Sequence, residues 1–388
     1  MGKSRMNQRA MKKNIFGQTS WRLASSDVEL FVTETAGHLG PTTFDRRGHK
    51  FQPFAVAPWA TEKVAPTIPT VVRVLRGDFF CMPFGGNETP YRGERHHIHG
   101  EPANRKWKLE SLSRKSGRST LHLSLRTRIR KGRVDKRIAL IDGHNAIYSQ
   151  HVISGMSGLM NFGHHATLKF PDEPKSGVIS TSPFRYGQVF DQPIELPENL
   201  GYSILKPGAE IKTLRRVPTI TGEVTDLSRY PNRRGFEDLI QLLQDPDDGV
   251  AWTAVTFPRK GYVWFALKDP AVLTGTVFWI SNGGRHYAPW SSRHINVLGL
   301  EEVTSYFHLG LAESAKKNPF NTKGIDTALK LSPTRPLAIN YIMAVAAVPR
   351  GFDRVRRIQL QRDSVTLYSD SNKRVQVALD SDFLNSVA

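Results

Sequence analysis

The chain has 388 residues, of which 39% are hydrophobic and 10% aromatic, enough for a sizeable core and too many for a disordered polymer. No stretch approaches the ~18 uninterrupted apolar residues of a membrane span. The basic N-terminus lacks both the apolar run of a secretory signal and the Ser or Thr of a myristoylation pattern, since position 6 is Met. A single cysteine, Cys81, excludes an internal disulfide, which fits a reducing compartment and makes cytoplasmic the default location.

The net charge of +19 is unevenly placed. Residues 1–18 carry five basic residues and no acidic one, and read as a basic tail without fixed structure, leaving 19–388 as one domain. A domain boundary near 200–235 is the alternative. Val28–Thr33 is the first extended run, closed by the breakers Ala36-Gly37 and Leu39-Gly40-Pro41; Val71–Leu75 is a second. Residues 105–137 hold thirteen basic residues against Glu110 and Asp135, so this block and the tail account for sixteen of the nineteen charges. The block alternates, with Leu121, Leu123, Leu125 and Ile129 on one face and Arg126, Arg128 and Arg130 on the other, as in a strand with one buried side. Lys131-Gly132-Arg133 then turns into a returning strand, Val134–Ile141. A solvated basic sheet face explains this pattern without a partner. A polyanion-docking face is the functional alternative, weakened for nucleic acid by the lack of stacking aromatics over 108–137.

Farther along, Phe236–Gln244 and Leu311–Lys317 have helical spacing. Gly261–Leu267 and Thr276–Ile280 are short, apolar and aromatic, as buried strands are. Val355–Leu360, Val365–Leu367 and Val375–Leu379 form a final meander through the turn Ser369-Asp370-Ser371-Asn372. Many short strands, with 24 prolines and 31 glycines between them, predict an all-β sandwich or barrel with a few short helices.

Chemistry-bearing residues gather in three segments. They are Gly77–Asn87 running on through His96-His97-Ile98-His99-Gly100-Glu101 to Trp107, then Asn161–Phe170, then Leu298–Tyr306. On a strand, His97 and His99 would point to one side and suit a metal, but Glu101 follows too closely for the cupin spacing. Zinc-protease spacing, a P-loop, a nucleophile elbow and a dinucleotide fingerprint are all absent. No metal and no organic cofactor is expected.

Taken in order, the three segments resemble the aldose 1-epimerase (galactose mutarotase-like) family. Its His-Gly followed by Trp is matched by His99-Gly100 and Trp107. Its strand-end His after Gly is matched within Gly163-His164-His165-Ala166. Its late Leu-Glu is matched by Leu300-Glu301, and the resemblance spans roughly residues 25 to 310. It implies a β-supersandwich and interconversion of sugar anomers by acid–base ring opening. Glu301 would be the base, His165 the acid and His99 a second contact near the ring oxygen, with Glu ionised and His protonated by mutual attraction. His164 competes with His165, and Glu302 with Glu301. The family's Asn-Arg is not reproduced, because Asn87 is followed by Glu88; its sugar-binding role would pass to Arg92 or Arg95. Asp238 or Glu237 would supply the acidic sugar contact. Trp107, Trp264 and Trp279 either stack on the sugar or belong to the core, whereas His122, His144 and His151 read as structural. Arg285 and His286, in a glycine turn, would face an acidic or phosphorylated sugar. The expected partner is a small sugar or sugar derivative, with no membrane and no nucleic acid. A carbohydrate-binding protein that has lost catalysis on the same fold is the alternative function.

Overall fold

The computed structural model describes residues 12–387. Leu121, Leu123 and Leu125 fall on the buried face of strand Arg118–Thr127, as their spacing requires. The chain then turns over 128–131, slightly earlier than the sequence suggests, into strand Gly132–Ile141. Both strands belong to a nine-stranded antiparallel sheet, which also contains Ala146–Ser154, Leu337–Ala347, Tyr262–Lys268 and Ala251–Phe257. Facing it is a seven-stranded sheet built around Phe236–Leu243, Gly275–Asn282 and Val297–Thr304.

The two sheets close on one core. Ile240, Phe278, Leu298 and Leu300 from the smaller sheet pack into a cluster with Val255, Trp264, Tyr341 and Met343 from the larger. Each such side chain, fully withdrawn from water, contributes ~1.5–3 kcal/mol. Both sheets are covered on their other faces too. The C-terminal meander (Val355–Gln361, Ser364–Ser369, Arg374–Ala378) packs Val355, Val365 and Leu367 against Val263, Phe265 and Ile342 of the larger sheet. Over the smaller sheet, Leu239, Val277, Trp279 and Val303 meet Trp59, Val71, Leu75, Phe84, Trp290 and Phe307 from loops and a short helix. This β-supersandwich is the all-β architecture expected, and the candidate site lies in that last, loop-covered layer.

Three expectations are corrected. Phe236–Gln244 is a strand, Phe236–Leu243, buried along nearly its whole length. Its Leu, Glu and Gln favour a helix intrinsically, but pairing with Gly275–Asn282 on one side and Tyr186–Val189 on the other overrides that preference. The β-branched run at 71–75 instead enters a one-turn helix, Thr70–Arg73, started by Pro69. Of the basic tail, residues 1–11 lie outside the described residues, but Lys12–Ile15 pairs with Gln18–Ala24, drawn in by buried Trp21. The expected helix at Leu311–Lys317 is present in shorter form, Leu311–Ala315. No helix among the described residues is long and apolar enough to cross a membrane.

Candidate functional site

Strand Val297–Thr304 carries the site. Its register with the neighbouring segment, Gly163 opposite Val303 and Ala166 opposite Leu300, sets His165 opposite Glu301 and His164 opposite Glu302. Facing residues of an antiparallel pair share a side of the sheet, and successive residues alternate. His165 and Glu301 therefore point together into the loop-covered layer, while His164 and Glu302 point together between the sheets. Gly299, two residues before Glu301, leaves the space that the carboxylate occupies: a Cβ there would lie 2.7 Å from Glu301 Oε1 and 3.0 Å from Trp279 Cβ.

Glu301 Oε1 and His165 Nε2 are 3.0 Å apart, and both side chains are almost fully buried. His165 stacks on Phe79 at 4.4 Å between ring centroids, its backbone N–H donates to the Phe79 carbonyl, and its Nδ1 lies 3.3 Å from Thr167 Oγ1. His99 enters from a separate loop, its ring edge-on to His165 at 5.2 Å. The loop turns there through left-handed conformations, φ 57° at His99 and 71° at Gly100, and a Cβ on Gly100 would collide with the Met82 carbonyl at 1.9 Å. The Gly85 N–H donates to His99 Nδ1 at 3.3 Å, which leaves Nε2 as the protonated nitrogen of the neutral ring.

These three groups line one cavity together with Arg285, His308, Phe79, Trp279 and Trp290, roofed by Val71, Val72, Leu75, Ile98, Ile194 and Leu239. Arg285 donates from Nε to Glu195 at 2.5 Å and lies 4.5 Å over the Trp290 ring. Burial pushes the Glu301 carboxyl well up and the His165 imidazole well down. Burial therefore favours the neutral form of the pair, with its proton on Glu301, over the Glu⁻/His⁺ ion pair that mutual attraction alone would give. Burial likewise lowers His99, and it brings His308 to about 4 with Arg285 adding to the effect.

The other candidate residues lie elsewhere. His164 bonds Asp78 through Nδ1 at 2.9 Å and packs on Tyr341 and His151 in the core. Glu302 pairs with Lys268 at 2.5 Å and accepts from Thr253 and Thr276. Asn87 clamps loops, donating to the Pro83, Gly85 and His97 carbonyls and accepting from Leu311 N–H. Arg92 and Arg95 are exposed, Arg92 lying over Tyr91. Asp238 faces away from the cavity because it shares strand parity with Ile240; it accepts from Ile204 and Leu205 N–H. Glu237, on the cavity side, is held behind it by Trp279 Nε1 and Ser281 Oγ. Trp107 is a core residue whose indole donates to the Pro102 carbonyl. Trp264 is also in the core, while Trp279 lines the cavity. His97 is exposed and His99 lies in a turn rather than a strand, so the two do not form a pair. No group of three or more His, Cys, Asp or Glu among the described residues is arranged to hold a metal.

The cavity residues His308 and Trp290 escaped sequence reading, as did Glu195, the partner of Arg285. His308 follows Tyr306-Phe307 at the end of the third segment, which is a usable signal. Glu195 sits in the loop Ile194-Glu195-Leu196-Pro197, where nothing local marks it.

No family profile matches the chain, and no curated protein matches it by sequence. Solved structures do match. A candidate aldose 1-epimerase from Escherichia coli K12 superimposes with a TM-score of 0.56 at 14% identity, covering 86% of this chain and 100% of that one. A galactose mutarotase-like protein from Clostridium acetobutylicum gives 0.57 at 11% identity, covering 87% and 98%. A galactose mutarotase related enzyme from Lactobacillus acidophilus gives 0.52 at 11%, covering 85% and 99%. At these identities the likeness establishes a shared galactose mutarotase-like fold.

Proposed function

We propose that this protein interconverts the anomers of a sugar or sugar-derived cyclic hemiacetal, with Glu301 as base and His165 as acid. The observation that carries the reading is their direct contact, 3.0 Å between Oε1 and Nε2, in one cavity with His99 beside them. Ring opening needs a proton to leave the C1 hydroxyl while another reaches the ring oxygen, after which the ring C–O bond breaks and the carbonyl forms. Transfer of the pair's proton from Glu301 to His165 gives the carboxylate that takes the C1 proton and the imidazolium that protonates the ring oxygen, without net charge change, each worth about 10²–10⁴-fold. Rotation of the aldehyde and reversal of the two roles close the other anomer. His99 Nε2–H is a donor for the ring or hydroxyl oxygen. The fold shared with aldose 1-epimerase-like structures favours the same chemistry.

The test is anomer exchange followed by NMR. Glu301→Gln and His165→Ala should each reduce acceleration by at least about 10²-fold. Exchange at the wild-type rate in both variants rules out this pair as the catalytic group. Ligand binding without any acceleration over buffer by the wild type would identify a binding protein instead.

A further inference from the structure

The cavity is poor in hydrogen-bonding groups for a sugar site. Nine of its fourteen lining residues are hydrocarbon or aromatic, and the wall formed by Val71, Val72, Leu75, Ile98, Ile194 and Leu239 has no polar side-chain atom. Four of the five polar residues are already partly committed. Glu301 and His165 face each other, His99 accepts at Nδ1 from Gly85, and Arg285 gives its Nε to Glu195. Side chains that would bind additional hydroxyls are spent elsewhere: Asn87 and Asp238 hold loops, and Arg92 and Arg95 point into solvent. A hexopyranose carries several hydroxyls beyond the anomeric one, and against this wall they would lose water without gaining partners.

We infer that the ligand of this cavity is an apolar cyclic hemiacetal, a lactol or multiply deoxygenated sugar whose ring bears few hydroxyls besides the anomeric one. The inference rests on the ring-opening reading for its reaction, but the ligand class follows from the wall. The anomeric oxygen and ring oxygen meet Glu301, His165 and His99, while the remaining ring carbons lie against the valines, leucines and isoleucines. Trp279 and Trp290 offer aromatic surface to the C–H bonds.

The lactol of 5-hydroxyhexanal is a suitable probe, because its two anomers are diastereomers that NMR resolves. Its exchange would be compared with that of D-galactose and D-glucose in the presence of the wild type and Glu301→Gln. A hydrocarbon pocket discriminates against an added hydroxyl by about 10²-fold. The expected result is a second-order acceleration for the lactol about 10²-fold above either hexose, lost in Glu301→Gln. Equal or greater acceleration of a hexose, also lost in Glu301→Gln, overturns the ligand class and leaves the reaction standing. If no hemiacetal is accelerated, ligand-observed NMR with cyclohexanol and D-galactose decides. Binding of cyclohexanol alone removes the reaction and supports the ligand class, whereas binding of galactose, or of neither, overturns the ligand class as well.

Discussion

Gly299 has no side chain to contribute, yet it makes room for the Glu301 carboxylate. Its missing Cβ would stand 2.7 Å from Oε1 and 3.0 Å from Trp279 Cβ, so Gly299→Ala forces one of these groups to move. A displacement of about 1 Å in a catalytic group costs on the order of 10²-fold in rate. We expect Gly299→Ala to lower anomer exchange by about that factor, read by NMR, while circular dichroism stays that of the wild type; unchanged exchange would mean the carboxylate position is not critical. This constraint was not legible in Leu298-Gly-Leu-Glu301, where the glycine reads as one more small residue. The histidine ambiguity at 164 and 165 was of the same kind. Both residues are buried, and burial alone does not say on which side of the sheet a ring lies.

At the scale of the strand, one register settles four residues at once. Val297–Thr304 is buried on both faces, so its sequence shows no alternation between apolar and polar, and Glu301 and Glu302 look equivalent. Pairing separates them. Glu301 turns to the cavity, and Glu302 turns inward to Lys268 Nζ, Thr253 and Thr276. Neutralising Glu302 leaves Lys268 charged and uncompensated among core side chains, so Glu302→Gln should destabilise the fold by about 3–5 kcal/mol. Glu301→Gln should leave stability near that of the wild type, because a buried carboxyl already pushed toward its neutral form loses little on becoming an amide. Denaturant unfolding of the two variants checks the contrast, and equal losses would refute it. Elsewhere the alternating run at 121–141 and the short apolar runs at 261–267 and 276–280 were readable because each strand's residues agree with its pairing. Phe236–Leu243 was not, since Leu, Ile, Glu and Gln at helical spacing gave a local signal that two neighbouring strands overrule.

Across the whole molecule, part of the charge that dominates the sequence is answered by carboxylates of the fold. Arg130 is held by Glu94, Arg133 by Asp135, Arg114 by Asp142 and Arg105 by Glu101, while Lys136 is buried with its Nζ donating to the Gly37 carbonyl. Arg126, Arg128 and Lys131 remain exposed, as a solvated sheet face requires. The more consequential ionisations are internal. His38, His99, His151, His294 and His308 are buried, and burial holds each below the ordinary 6.5. Below pH 6.5 the unfolded chain takes up protons at these positions that the folded chain refuses, so their contribution to stability is lost as pH falls. Glu237 and Asp238 act in the opposite sense. Burial raises both to about 7, so their protons stay on in the folded state after the unfolded chain has released them, and stability falls as pH rises through 7. Below pH 6.5, five histidines against two carboxyls leave a net of three protons favouring the unfolded chain, a slope of about 4 kcal/mol per pH unit. Between 6.5 and 7 the half-protonated imidazoles of the unfolded chain and the two carboxyls of the folded one come close to cancelling. The melting temperature followed by circular dichroism should therefore drop steeply below pH 6.5 and level off near pH 7. A melting temperature that stays level from pH 6.5 to 5 would mean these imidazoles accept protons inside the fold, and that the core around the site is wetter than its packing indicates.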